Sequence, residues 1–172
     1  MPPLALGNGI QTHTNGNGTV YMNIRNEREC TEDDDNNGVP DNMTTFYVEP
    51  HFPLAAPDIP KNRVWSYSDS WAFRAGSYGG YNDWRDRLAT LPGFPKDWSD
   101  RKNSTDLPFY ELVWFSDCEG VIGPATCAKL AKDFEQWSSW AHGSGDDWFI
   151  RLYDEFKQAF KDAANNGAVE FH

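Results

Sequence analysis

Cysteine is scarce in this chain: Cys30, Cys118 and Cys127 are the only three. An odd and sparse set excludes the disulfide framework that holds small secreted folds together, so a reducing compartment, the cytoplasm, is the expected setting. Long hydrophobic runs are missing too. The opening stretch has no basic leader and only the brief Leu4-Ala5-Leu6 run before Gly7, so neither a secretory signal nor a membrane span is expected there. Positive charge is short, with 15 Lys and Arg against 26 Asp and Glu and a net charge of -11. That balance argues against general binding to nucleic-acid backbones or anionic membranes. His13, His51, His142 and His172 stand apart from one another and from the cysteines, so no zinc spacing exists.

What the chain does have is aromatic residues, 15% of 172 positions, and enough length for one ordinary core. Residues 1–18, rich in Gly and Asn, read as an arm that is flexible or docked on a partner, and residues 19–172 as a single α+β domain. Thr19 to Ile24 and Thr44 to Val48 are expected strands, with an acidic loop from Glu29 to Asn42 between them. Tyr81, Trp84, Leu88 and Leu91 follow helical spacing up to Pro92. The apolar run from Leu107 to Phe115 reads as a buried strand. Two C-terminal helices are predicted. One opens at Pro124 and stops at Gly143; the other follows Asp146 and Asp147 and stops at Asn166-Gly167. Phe134, Trp137, Phe156 and Phe160 are expected in the core, and Ala168 to His172 as a last short strand. The fold class is therefore α+β: a small mixed or antiparallel sheet covered by about three helices, two of them an antiparallel C-terminal pair.

Charge is uneven along the chain. Residues 1–60 carry -7, residues 61–102 carry +3 and residues 103–172 carry -7. The positive segment is also the most aromatic, and it suggests a ligand site. A glycine-bearing turn through Gly76 into a helix presents backbone N–H groups, Ser77 adds a hydroxyl, and Arg74 or Arg85 adds a planar donor fork for an anion. Trp71 and Tyr78 offer stacking faces for a base. The spacing matches no phosphate-loop or dinucleotide fingerprint, and the alternative is that Trp71, Phe73, Tyr81 and Trp84 are simply core.

The stretches FRAGSYGGYNDWRDRLA and PFYELVWFSDCEGVIGPATCAKLAKDF, with the ending AVEFH, resemble an uncharacterised family of small proteins of bacteria and tailed phages. The resemblance covers about residues 71–172 and implies a phage or prophage context, with no assigned activity and no catalytic residues.

Three further features carry chemistry. Asp117 and Glu119 stand where they could meet a ligand's hydroxyls or amines, or pair with the arginines. Cys118 between them is a candidate nucleophile with His51 or His142 as its base, although neighbouring carboxylates raise a thiol pKa. Asp33, Asp35, Asn37 and Asp41 follow the alternate spacing of a calcium loop around Gly38, without the bidentate acid that such loops place at position 12. No other cofactor is expected.

The expectation is a non-enzymatic binding protein of phage or prophage origin that takes an anionic, nucleotide-like small molecule and so sequesters a host signal. The alternatives are an acidic interaction module antagonising a host protein, a Cys118-dependent hydrolase, and a virion structural protein. Oligomeric state is left open.

Overall fold

The computed structural model describes residues 17–172. Most of the expected arm lies outside them, while Asn17 and Gly18 already belong to the first strand, β1 (Asn17–Glu29). Met22 and Ile24 of β1 are buried on one face, the alternation that defines a half-buried strand. A short helix, α1 (Glu32–Asn37), occupies the expected acidic loop. Thr31 and Asp34 cap it reciprocally: the Asp34 carboxylate accepts the Thr31 amide at 2.8 Å, and the Thr31 hydroxyl accepts the Asp34 amide at 3.4 Å. Arg28 holds the same carboxylate at 2.5 Å and keeps it well below the usual range.

The remaining strands are β2 (Met43–Thr45), β3 (Arg63–Gly76), β4 (Gly120–Ile122) and β5 (Gly167–Phe171). They form one antiparallel five-stranded sheet in the order β2-β3-β1-β5-β4. The second expected strand, Thr44 to Val48, is corrected to β2: beyond Thr45 the chain leaves the sheet, and Phe46 and Val48 pack against its core from the loop. The largest element missed in the sequence is β3, whose pairing with β1 runs from Arg63 to Gly76.

Two sets of apolar side chains sandwich the sheet. On β5, Val169 and Phe171 face the helices, while Ala168 faces a smaller cluster of Met22, Ile24, Trp65, Val121, Ala56 and Ile59. The helical layer is built by α2 (Tyr78–Thr90), α5 (Pro124–Gly143) and α6 (Asp147–Ala163), with α5 and α6 the antiparallel pair. Helix α2 buries Tyr81, Trp84 and Leu88 at helical spacing, and α6 buries Phe149, Tyr153, Phe156 and Phe160. Phe134 is fully buried as expected, whereas Trp137 is only half-buried.

The expected strand at Leu107 to Phe115 is a correction. Phe109, Tyr110, Leu112, Val113 and Phe115 are buried as expected and Leu107 and Trp114 half-buried, but the backbone turns: Phe109 sits at φ 66 and leads into a one-turn helix, α4 (Tyr110–Val113). The buried carboxylate of Asp133 accepts the Phe109 amide at 2.9 Å and fixes that conformation, while Lys129 reaches Asp133 and Glu111, each at 2.7 Å. A short apolar run does not distinguish a buried strand from a buried turn. Among the described residues, no helix is long and apolar enough to cross a membrane.

Candidate functional site

Helix α2 supplies the floor of the main cleft. Its first turn is set by Ser77, whose hydroxyl accepts the Gly80 amide at 3.1 Å, and two turns later Arg85 falls on the same buried side as Tyr81 and Trp84. Arg85 is 5% exposed. Its guanidinium donates to the Phe115 carbonyl and to Asn82 Oδ1, and lies 5.2 Å from the centre of the Tyr81 ring. Asn82 in turn donates to Asp117 at 2.7 Å. Among the described residues no carboxylate lies within 4.0 Å of Arg85, so this buried cation is held by neutral partners and meets Asp117 only through an amide.

Above this floor opens a cleft of about 600 Å³. One wall carries Lys96 and Trp98, the latter at the start of a short helix, α3 (Trp98–Arg101). Arg101 fixes that wall by donating to Asp86 at 2.6 Å, to Pro95 O at 3.0 Å and to Lys96 O at 3.3 Å. Trp98 stacks on Trp114 with ring centres 4.0 Å apart and planes at 28°, and it remains 49% exposed. Glu49, His51, Phe52, Ser116 and Asp117 also line the cleft. Glu49 accepts the His51 amide at 2.9 Å. Lys96 takes part in no ion pair among the described residues. Tyr81, fully buried beneath, is pushed up to about 12 by burial, with Asp117 adding to the shift and Arg85 opposing it.

Of the ligand residues expected from the sequence, the cleft brings together Arg85 and Asp117. The others stand elsewhere. Arg74 is exposed on β3, and Trp71, also on β3, is half-buried and donates its indole N–H to Asp162 at 3.2 Å. Gly76 ends β3 at φ 122, Ser77 caps α2, and Tyr78 and Glu119 are exposed outside the cleft. Arg74 and Ser77 therefore do not line the cleft that Arg85 lines. Sequence reasoning missed Lys96, Trp98, Trp114, Asn82 and Glu49. Asn82, Lys96 and Trp98 lie in the segment marked as positive and aromatic; Glu49 and Trp114 gave no local signal.

The calcium spacing is not realised as a loop. Asp33, Asp35 and Asn37 sit on α1, where alternate residues diverge by about 200° instead of converging, and Asn37 donates to Asp33 at 2.6 Å. Among the described residues, no group of three or more His, Cys, Asp or Glu side chains is placed to hold a metal.

Cys118 is exposed beside Ser116, with sulfur to hydroxyl 3.8 Å, and its thiol is pushed up by burial and by the charges of Asp117 and Glu119. A thiol held protonated is a poor nucleophile. His51 lies in the cleft, and His142 is engaged on the helical pair.

Ser138, His142 and Asp154 have the residue types of a hydrolytic triad, but not its proton arrangement. His142 Nδ1 lies 2.7 Å from the Ser138 carbonyl, which can only accept, and Nε2 lies 3.1 Å from Asp154. Nδ1 also lies 3.3 Å from the Ser138 hydroxyl, but its shorter contact is with the carbonyl, to which it must donate, so a ring in that arrangement has no lone pair on Nδ1 to take the serine proton. The Ser138 carbonyl and Asp154 raise the His142 pKa, and burial and Lys157 oppose them. A raised folded pKa contributes stability below the ordinary value near 6.5 and loses it as pH rises through the folded pKa. His142→Gln is therefore expected to lower the melting temperature more at pH 5.5 than at pH 8.5. With His142 44% exposed, screening keeps the effect below about 1 kcal/mol. An equal loss at both pH values would show that the ring acts by packing alone.

Comparison with family models, with curated proteins and with solved structures finds no match for this chain.

Proposed function

We propose that the protein is a non-enzymatic binding protein whose cleft over Arg85 retains an anionic, nucleotide-like small molecule. The observation that carries this reading is the buried guanidinium on the cleft floor, which has no direct carboxylate counter-ion. A buried charge without a counter-charge is costly, and an anionic ligand supplies one. Lys96 at the rim adds a second cation, and the Trp98–Trp114 stack offers a planar face for a base. Retention rather than turnover is supported by the Cys118 thiol, whose pKa burial and the neighbouring carboxylates push up. In the phage or prophage setting suggested by the sequence resemblance, such retention would sequester a host signal.

Calorimetric titration with AMP and with cyclic AMP tests the proposal. Trp98→Ala is expected to weaken binding by about 1–3 kcal/mol, the scale of base stacking. Lys96→Ala is expected to remove about 1.5–3 kcal/mol, the scale of a charged hydrogen bond. Arg74→Ala, outside the cleft, should leave affinity unchanged. Loss on replacing Arg74 with none on replacing Trp98 or Lys96 would move the site to residues 71–78.

A second reading, an acidic module that engages a basic host protein, is favoured by α1, whose Glu32, Asp33 and Asp35 are all exposed. It predicts salt-sensitive association that survives Trp98→Ala.

A further inference from the structure

We infer that the cleft takes a ribonucleotide in preference to the matching deoxynucleotide, with Asp117 accepting the ribose hydroxyls. This rests on the binding reading above and adds to it the sugar of the ligand.

Asp117 is a half-buried carboxylate in the cleft lining, and among the described residues no cation lies within 4.0 Å of it. An ionised carboxylate accepts about four hydrogen bonds. The Asn82 amide takes one and the Cys118 thiol is a weak second, so accepting capacity remains. A group that only accepts can meet only a donor of the ligand. An ionised phosphate offers none, whereas a ribose offers two adjacent hydroxyls.

The Asn82 amide fixes where that donor must stand. Its Oδ1 accepts from Arg85 and its N–H group donates to Asp117 at 2.7 Å. The carboxylate is therefore two hydrogen bonds and one amide group from the guanidinium that receives the phosphate, a span of at most about 8 Å. In a nucleoside 5′-phosphate the ribose diol is set off from the phosphate by the C5′ methylene and one edge of the ring, a comparable span. The base edge, beyond the glycosidic bond, lies farther away, toward the Trp98–Trp114 stack. A carboxylate that takes a ribose hydroxyl in this way separates ribonucleotides from deoxynucleotides in dinucleotide-binding folds as well.

AMP and 2′-deoxy-AMP share base and charge and differ by one hydroxyl. At pH 8, where both phosphates are dianionic, AMP is expected to bind at least about tenfold more tightly by calorimetry, the scale of a hydrogen bond to a charged group. This comparison is made on the unaltered protein and needs no variant to fold. Asp117→Asn keeps an oxygen for the Asn82 amide and should weaken AMP far more than 2′-deoxy-AMP, bringing the ratio toward one. Equal weakening of both ligands would show that Asp117 acts only by holding Asn82 and Arg85, and tightening of both would show that it only repels the phosphate; either would overturn the inference. Equal affinity of the unaltered protein for the two ligands, with dependence on Trp98 and Lys96 intact, would overturn the sugar selection and leave the cleft as the site. If neither compound binds, the cleft reading fails and the inference falls with it.

Discussion

Phe156→Ala is expected to lower the free energy of unfolding by about 3–5 kcal/mol. Phe156 of α6 is fully buried where α2 and α6 meet β3 and β5 of the sheet. Its ring centre lies 4.8 Å from Trp84 and 5.7 Å from Tyr81 on α2, 4.9 Å from Phe73 on β3 and 6.3 Å from Phe171 on β5. Rings this size cannot close over the void left by a missing phenyl group, so the cavity cost adds to the lost transfer free energy. Urea denaturation measures it. A loss under about 1 kcal/mol would mean that these rings do not form the shared core.

Gly167→Ala should be comparably severe for a different reason. A Cβ at this position would sit 2.5 Å from Ala163 Cα and 3.0 Å from the carbonyl oxygens of Ala163 and Met22. All three are backbone atoms of α6 and β1 and cannot swing aside as a side chain would. The Met22 residue concerned is paired with β5, and the Ile24 amide bonds to Asn166 O at 2.8 Å, so moving the strand breaks the ladder. The expected loss is about 3 kcal/mol, at the upper end of overpacking costs. Gly143→Ala, whose Cβ would enter open space, is the control and should shift stability by less than about 1 kcal/mol. Equal effects of the two changes would show that α6 and β5 do not approach as described.

The helical pair was legible in the sequence because its information is local. Pro124, Gly143, Asp146 and Asn166-Gly167 mark the ends, and the apolar stripe of α6 repeats over four turns. The turn at Phe109 was not legible, because what holds it is Asp133, 24 positions away and on another helix. Strand β3 was hidden for a related reason: its sequence, Arg63 to Gly76, mixes serines and aromatics without clean alternation, and its partners on β1 lie 34 to 59 positions away. The same limit applied to the cleft. Arg85 and Asp117 were legible as charged residues in suggestive places, but Trp98 and Trp114 become a platform only when the turns around α3 and α4 fold the two indoles together. Arg74, Gly76 and Ser77, at the handover from β3 to α2, lie outside the cleft lining that Arg85 joins from two turns further along the helix.

The central claim is that an anionic nucleotide-like ligand enters the cleft over Arg85. Its most direct test uses protein labelled with ¹⁵N at its eight tryptophans, with each indole resonance assigned by single substitution. On adding AMP, the indole N–H signals of Trp98 and Trp114 are expected to shift together in a saturable manner, with Trp71, Trp140 and Trp148 unmoved. A shift confined to Trp71, or saturable binding that leaves Trp98 and Trp114 where they were, would contradict the account.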